Sequence, residues 1–247
     1  MATTGSTNQD LLDRLAEGDA TTTGVLADLQ TEGRGRLGRK WLSEHDHAGP
    51  QAMTGSLLLL WDDEPGLPLV PFAAGLATVD VVRSELGDVL VGMGWPNDVI
   101  TWRDGRWRKL AGILVETAPL GTSSTRGVVV GVGLNLRPLA GADDSVVDRA
   151  VSLQELADGH DPESSNVDLF LKLEERLSVW IDALQADPVQ FMARYREICR
   201  TIGQPVRVRA GGQVIEGVAE GVADGGELLI AGEAQVRSVS VGDVEPL

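Results

Sequence analysis

The spacing of apolar residues changes along this chain, and the change restricts the folds it can adopt. Short, nearly continuous apolar runs at 57–61, 110–117 and 126–134 are typical of buried strands. Between the first two, Val70–Leu86 has apolar residues at positions 72, 76, 79, 82 and 86, the spacing of one helical face. Helices and strands therefore alternate, but without the regular spacing of βαβ units. The pattern predicts an α+β fold in which helices pack on a mixed, largely antiparallel sheet.

The pattern also divides the chain into two parts. Apolar residues keep intervals of three or four through 151–199, which predicts helices with Pro188 in the first turn of the last one. After Gly203, short strand-like segments are separated by glycine turns, as in a small barrel. We therefore predict a first domain at 1–202 and a small C-terminal β barrel at 203–247.

Capping and turn residues predict two local features of the first domain. Residues 8–16 have helical spacing, Asn8 is of a type that caps helix N-termini, and Gly18 stands where the helix would end. Asp104-Gly105 lies between two strand-like segments and predicts the tip of a hairpin.

The chain is strongly acidic, with 21 Lys and Arg against 37 Asp and Glu and a formal net charge of -16. This charge repels phosphate backbones and anionic lipids, so it argues against general binding to nucleic acid or membrane surfaces. The longest apolar runs are far below the ~20 residues of a membrane-spanning helix, and the N-terminus lacks the features of a secretory signal. The single Cys199 and the three His residues favour a cytoplasmic chain without a dedicated metal site.

A cluster of positive charge interrupts this acidic chain at residues 33–41. The segment GRGRLGRKW holds four cations and three glycines, within a stretch from 30 to 50 that has no sustained apolar spacing. Glycines let the backbone approach a ligand, and guanidinium groups bind phosphate oxygens in pairs, so the segment suits a nucleotide triphosphate. Trp41 is able to stack on a flat base. The alternatives are a solvated basic loop and a flexible nucleic-acid-binding segment.

Two further motifs have polar side chains at strand ends. Trp95-Pro96-Asn97-Asp98 sets an amide beside a carboxylate where proline interrupts strand pairing, which suits a ligand hydroxyl, magnesium or an incoming amine and equally suits a turn. Lys109, eleven residues after Asp98, precedes an apolar strand. Its ammonium group can bind a phosphate or lie in water at the strand edge.

Glycines and small polar residues mark two more places. The segment 131–135 (GVGLN) closes a strand and does not complete the GxGxxG pattern of dinucleotide-binding folds, so its glycines are better explained as room for another group. Ser6-Thr7-Asn8 offers two hydroxyls and an amide, for a ligand or for a helix cap alone.

Taken in chain order, these motifs resemble those of biotin–protein ligases. The motifs concerned are Ser6-Thr7-Asn8, Gln30 with the segment 33–41, the segment 95–98, 109–116 (KLAGILVE) and 131–135. The resemblance implies a catalytic fold like that of class II aminoacyl-tRNA synthetases, followed by a Src-homology-3-like barrel. It also implies a cytoplasmic enzyme that condenses biotin with ATP to biotinyl-5'-AMP, with Mg²⁺ accompanying the ATP. Such an enzyme then passes biotin to a lysine of a biotin carboxyl carrier domain.

The same resemblance assigns roles to individual residues. Three would be catalytic: Lys109 at the biotin carboxylate and α-phosphate, Arg36 at the phosphates, and Asp98 at the acceptor lysine. Arg34 would also face the phosphates, and Trp41 would stack on adenine. Ser6, Thr7 and Gln30 would hold the ureido ring, with amides around Gly33 and Arg34 completing that pocket, and Gly131 and Gly133 would floor an apolar slot. Asn97 and Asn135 would lie on the nucleotide side, and the remaining predicted ligand-binding residues are Asn8, Gly35 and Gly112. No residue is predicted to bind a metal directly.

The resemblance also leaves differences and alternatives. Gly94 stands where the family usually has a lysine. No helix-turn-helix segment precedes Ser6, and this second difference favours the group of family members that are enzymes without a DNA-binding repressor role. We expect a monomer or homodimer without nucleic-acid or membrane partners. The alternatives are a lipoate–protein ligase, whose usual pattern lacks the GRGRxGR loop, a catalytically impaired biotin or nucleotide sensor, and a nucleic-acid-binding module.

Overall fold

The computed structural model is organised around a six-stranded sheet. It describes residues 1–247 except 44, 47–48, 63–65, 88, 122–123, 140–142, 144–146 and 233–234. The strands, in chain order, are β1 (Thr3–Thr4), β2 (Gly24–Ala27), β3 (Leu29–Gln30), β4 (His45–Asp46), β5 (Gly49–Pro50), β6 (Ala52–Trp61), β7 (Val91–Gly94), β8 (Asp98–Arg103), β9 (Arg106–Pro119), β10 (Arg126–Asn135), β11 (Pro205–Ala210), β12 (Gln213–Val222), β13 (Leu228–Ala231), β14 (Val236–Val239) and β15 (Asp243–Pro246). The helices are α1 (Thr7–Ala16), α2 (Val70–Leu86), α3 (Leu153–Leu156), α4 (Asn166–Ala186) and α5 (Pro188–Ile198), with 3₁₀ turns at Arg36–Gly38 and Leu67–Leu69.

The main sheet has the order β2-β6-β10-β9-β8-β7, and each neighbouring pair is antiparallel. A separate pair, β1 with β3, is parallel. The expected α+β fold with a mixed, largely antiparallel arrangement is therefore confirmed. The predicted hairpin is also confirmed, because Asp104 and Gly105 join β8 to β9 with positive φ angles of 51° and 78°.

The two faces of the main sheet pack against different helices. On one face, α2 and α4 cover the main apolar core, which includes Val130 and Val132 of β10. On the other face, α1 packs Leu11 and Leu15 against Leu58 and Val129. Because side chains alternate along a strand, the glycines at 131 and 133 lie on the α1 face. This face becomes the floor of the site described below.

Helix α2 has the bounds that its apolar spacing predicts. With the preceding turn it is also long and apolar enough, over Leu67–Leu86, to meet a length-and-composition test for a membrane span. However, 67% of that window is buried inside the protein, where it packs on the sheet and on α4. The burial of α2 in the core accounts for its apolar composition.

The N-terminal helix corrects one expectation. It begins at Thr7, so Asn8 lies inside α1 and does not cap it. Ser6 occupies the capping position, and its side chain makes no capping hydrogen bond. The side-chain amide of Asn8 donates to the Leu114 carbonyl at 3.2 Å and to the Glu116 carboxylate at 2.8 Å. Asn8 therefore connects α1 to strand β9.

The C-terminal part forms a small β domain, a five-stranded antiparallel sheet in the order β14-β13-β12-β11-β15. Apolar side chains of this sheet belong to the same buried cluster as the main core, and the Trp95 indole donates to the Gly226 carbonyl at 2.8 Å. The predicted boundary at residue 202 stays a prediction. Pro188 does lie in the first turn of its helix, and Asp187 accepts hydrogen bonds from two amides of that turn.

Candidate active site

Three glycines on adjacent strands form the floor of a pocket. In the sheet register, Gly133 of β10 lies opposite Gly112 of β9, and Gly131 lies opposite Ser56 of β6. A Cβ atom at Gly131 would overlap the Asn8 side chain, and one at Gly133 would overlap the Trp41 indole. These two glycines therefore make room for the Asn8 and Trp41 side chains, and their contact with a ligand stays a prediction.

A buried polar network forms one wall of the pocket. The Gln30 side-chain carbonyl accepts hydrogen bonds from the Thr7 amide at 2.8 Å and the Thr7 hydroxyl at 3.1 Å. The Ser56 hydroxyl lies 2.7 Å from the Thr7 hydroxyl and 2.6 Å from the Asn8 side-chain oxygen, and its single proton can be donated to only one of them. Ser6, Thr7, Asn8 and Ser56 are all buried. This wall is thus preorganised to orient a polar edge of a ligand.

The glycine-rich segment folds over the pocket as a compact loop. Arg34 and Lys40 form an isolated β-bridge, and the Gly35 amide donates to the Arg39 carbonyl at 2.7 Å. The Arg34 guanidinium pairs with Glu116 at 3.1 Å, which attaches the loop to β9. Gly33 is required here because a Cβ atom would lie 2.5 Å from the Trp41 carbonyl oxygen.

Trp41 lies inside the pocket at the end of this loop. Its ring lies against Gly112 and Gly133, and the Lys109 ammonium stands 5.6 Å from the ring centroid. The indole N–H is buried without a hydrogen-bond partner among the described residues. With Trp41 in this position, the cavity measures ≈120 Å³, below the roughly 300–1,000 Å³ of typical ligand pockets. The Trp41 ring therefore occupies part of the space above the glycine floor.

Arg36 extends from the loop to the other side of the pocket. Its guanidinium donates to the Asn97 side-chain oxygen at 2.9 Å, and Asn97 in turn donates to the Ile113 carbonyl at 2.7 Å. Burial lowers the pKa of Arg36, an effect that Asp243 and Asp98 oppose and that Arg39 reinforces. The Arg36 charge is thus only partly compensated, which favours an anionic ligand at this position.

A strand irregularity brings Lys109 into the site. The register between β8 and β9 shifts, so Val99 lies opposite Ala111 while Ile100 lies opposite Lys109. This bulge puts Lys109 on the same face of β9 as Gly112. The Lys109 ammonium reaches Asp98 at 2.7 Å.

The structure brings most of the predicted ligand-binding residues together. Those that line the pocket are Ser6, Thr7, Asn8, Gln30, Arg34, Gly35, Arg36, Trp41, Asn97, Lys109, Gly112, Gly131 and Gly133. Gly33 and Asp98 adjoin them through Trp41 and Lys109. Asn135 lies apart from this pocket and donates to the backbone carbonyls of Lys109 and Val151. It lines a neighbouring cavity that also contains Trp41, Asp98 and Lys109.

Sequence reasoning missed two residues of the polar network. Ser56 lies in an apolar strand, and Glu116 ends an apolar run, where the carboxylate binds both Asn8 and Arg34. In both cases the available signal was a polar residue within an otherwise apolar strand. In the part of the chain that the structure describes, no group of three or more His, Cys, Asp or Glu side chains could hold a metal.

Comparison with known proteins identifies the class to which this fold and site belong. Residues 2–135 match the model of the biotin/lipoate A/B protein ligase family, and residues 201–245 match that of the biotin protein ligase C-terminal domain. The chain belongs to the biotin/lipoate A/B protein ligase family. Both matches together make it a biotin protein ligase, which confirms the resemblance carried by the motifs.

Individual relatives agree with this assignment. The chain is 36% identical to the biotin--[acetyl-CoA-carboxylase] ligase of Mycobacterium tuberculosis, over 99% of this chain and 86% of the relative. It is 31% identical to the bifunctional ligase/repressor BirA of Escherichia coli, over 97% and 70% of the two chains. The biotin protein ligase of Aquifex aeolicus, solved in complex with biotin and ATP, superimposes with a TM-score of 0.79 at 25% identity, covering 99% of this chain and 96% of that one.

Proposed function

We propose that this enzyme condenses biotin with ATP to biotinyl-5'-AMP, releasing pyrophosphate, and then transfers biotin to a lysine of a biotin carboxyl carrier domain. The observation that supports the proposal most strongly is the juxtaposition of three parts in one pocket. These are a glycine floor, a buried hydroxyl and amide wall, and the two cations Arg36 and Lys109.

The biotin bicycle would lie on the glycine floor. Biotin is compact and largely apolar with one polar ureido edge, so its pocket needs an apolar surface and a few fixed hydrogen bonds. Thr7 and Gln30 already bond each other and would hold the ureido edge, together with Ser6, Asn8 and the amides near Gly33 and Arg34. The side chains of Val132 and Ile113 point from the same strands into the main core behind this floor. Trp41 would swing off the floor and stack on the adenine ring.

Adenylate formation would depend on Lys109 and Arg36. Attack of the biotin carboxylate on the α-phosphorus builds negative charge on phosphate oxygens, and fixed cations stabilise that charge. Lys109 stands between the glycine floor and Asp98. From this position its ammonium group would contact both the biotin carboxylate and the α-phosphate of ATP. Arg36 and Arg34 would bind the phosphates. Mg²⁺ would enter with ATP, held mainly by phosphate oxygens.

Transfer would involve Asp98. Its carboxylate binds Lys109 at 2.7 Å and is partly exposed, so an acceptor amine can reach it from solvent. Asp98 would orient that amine toward the acyl carbon and accept its proton. As the amide bond forms, the bond between the acyl carbon and the phosphate oxygen breaks and AMP leaves. Gly94 lies directly opposite Asp98 in the β7–β8 pairing, so the site has no lysine side chain at that position. Asn97 and Asn135 remain the proposed contacts on the nucleotide side.

The setting of the reaction follows from the same chemistry. We propose a cytoplasmic enzyme, monomeric or homodimeric, whose macromolecular partner is the carrier domain. Nucleic acid and membranes are not proposed as partners, because the net charge of -16 opposes both.

Two measurements test the proposal. Pyrophosphate release from ATP should require biotin, and the mass of a carrier domain incubated with enzyme, ATP and biotin should increase by one biotinyl group. Pyrophosphate release with lipoate but not biotin would instead support a lipoate–protein ligase. Biotin binding without pyrophosphate release would support a sensor and contradict the proposal.

A further inference from the structure

The β8–β9 hairpin presents a partly exposed aromatic pair that the proposed reaction does not use. Trp102 and Trp107 lie opposite each other in the register, with ring centroids 5.3 Å apart in an edge-to-face arrangement. Trp102 is 47% exposed. A cross-strand aromatic pair stabilises a hairpin, but this role does not require a large apolar side chain to face solvent.

The pair lies on the same face as the reactive centre. From Ile100 and Lys109 onward the hairpin register is regular, so the facing pairs 100/109 and 102/107 point the same way. Two residues along a strand correspond to roughly 7 Å. The aromatic surface is therefore continuous with the Lys109–Asp98 pair, on the hairpin that leads away from the pocket.

The hairpin is also basic within an acidic molecule. Residues 102–109 (WRDGRWRK) contain four cations and one acid. Arg106 is exposed and pairs with the exposed Asp148 at 3.1 Å, and Arg108 pairs with Asp104 at 3.0 Å. The Arg106–Asp148 pair is exposed at both ends, and such a pair contributes little to stability, so an acidic partner can displace it at small cost.

We propose that Trp102, Trp107 and Arg106 form a docking surface for the carrier domain, and that the surface around its acceptor lysine is acidic and partly apolar. This inference rests on the proposed function, because the carrier is the macromolecule whose lysine must reach Asp98. Aromatic and arginine side chains dominate binding energy at protein interfaces.

The test separates the two half-reactions. Trp102→Thr and Arg106→Glu should each raise the KM for the carrier domain about ten-fold, the effect expected for loss of a moderate interface contact. Biotin-dependent pyrophosphate release without carrier should remain within two-fold of wild type. Transfer to free lysine at high concentration should also be unchanged, because a small amine needs no docking surface.

Matched controls address local destabilisation. Arg14→Glu changes an arginine whose side chain is 46% exposed, against 47% for Arg106, and which is likewise ion-paired with an aspartate. Leu60→Thr removes an exposed apolar residue on β6. Neither control should change the KM for the carrier. Arg106→Glu also leaves the aromatic pair intact, so it tests the surface even where Trp102→Thr loosens the hairpin.

The contrary results are distinct. An unchanged KM for the carrier in both variants would overturn the docking surface, and so would an equal loss of pyrophosphate release and transfer. Binding of a single-stranded DNA oligonucleotide that Trp102→Thr abolishes, with carrier KM unaffected, would assign the hairpin to nucleic acid instead. A wild-type enzyme that forms no adenylate would overturn the proposed function itself.

Discussion

Arg36 is the residue whose environment most directly indicates what it binds. It is half-buried, its pKa is lowered by burial, and its direct partner is the neutral amide oxygen of Asn97. Removing one preorganised donor from a charge-stabilising site typically costs about 100-fold or more in rate. We expect Arg36→Ala to lower biotin-dependent pyrophosphate release by at least this factor while the thermal midpoint changes little.

The same experiment applies to Lys109, with a surface arginine as control. Lys109→Ala should lower adenylate formation strongly, because Asp98 then loses the cation that it binds directly and the α-phosphate loses its proposed partner. Arg194→Ala changes an exposed arginine paired with Glu197 on α5 and should have wild-type rates. Wild-type rates in both Arg36→Ala and Lys109→Ala would refute the assignment of the catalytic residues.

Cys199 has an environment that makes a different kind of prediction. Burial raises the pKa of its thiol, and burial likewise raises the pKa of the adjacent Tyr195 hydroxyl. The folded state therefore favours the neutral thiol, so its contribution to stability is present below the unfolded thiol pKa of about 8.5 and is lost as the pH rises above it. The native enzyme should resist alkylation at pH 7.5 and react after unfolding in urea. The free energy of unfolding should fall less between pH 8 and 10 in Cys199→Ala than in wild type.

At the scale of elements, local spacing predicts some segments well and others poorly. The bounds of α2 follow from its apolar stripe because both of its ends coincide with breaks in that stripe. Strand β6 was predicted from residue 57, whereas it begins at Ala52. The part of the strand that the prediction omitted contains the polar residues Thr54 and Ser56. A buried strand tolerates them because each is hydrogen-bonded: Thr54 to the Ala27 carbonyl, and Ser56 to the side chains of Thr7 and Asn8.

Asn8 illustrates why such sites resist prediction from sequence. The residue types that cap helices also bind ligands and distant backbone, so an Asn near a helix start fits either role. Which role Asn8 has depends on Glu116, 108 residues away, whose carboxylate accepts a hydrogen bond from the Asn8 side chain. Local spacing contains no information about that contact. The order of five motifs was sufficient to identify the family, but it did not reveal the network between them.

Strand β10 carries the element-scale prediction. Gly131→Ala would push its methyl group into Asn8, and Gly133→Ala would push it into Trp41. Overpacking of this kind lowers the free energy of unfolding by about 1–3 kcal/mol. Here the side chains that must shift are the ones that form the pocket. We expect each variant to raise the KM for biotin at least ten-fold.

A third glycine controls for the loss of backbone freedom. Gly221 lies in β12 with no atom within 4 Å of its would-be Cβ, so Gly221→Ala should leave the KM for biotin unchanged. Equal KM values in all three alanine variants would show that the glycine floor does not contact the ligand.

At the scale of the molecule, an ion pair connects the small β domain to the loop over the active site. Arg39, in the glycine-rich loop, binds Asp243 of β15 at 2.6 Å, and Asp243 also supports the charge of Arg36. The partners are 204 residues apart, in segments that we predicted to belong to different domains. No sequence pattern in either segment indicates the pairing. The small domain thereby fixes one end of the loop that covers the pocket.

Loss of this ion pair should loosen the loop without unfolding the protein. An exposed pair contributes only about 0–1 kcal/mol, so Asp243→Asn should leave the thermal midpoint nearly unchanged. With Arg39 released, we expect biotinyl-5'-AMP to escape, so that pyrophosphate release without carrier continues several-fold faster than wild type after the first turnover. Limited proteolysis should cut the loop more readily. Glu245→Gln is the matched control, because Glu245 lies two residues along β15 and pairs with Arg209 inside the small domain. If Asp243→Asn retains the adenylate as wild type does, the small domain does not hold the loop through this pair.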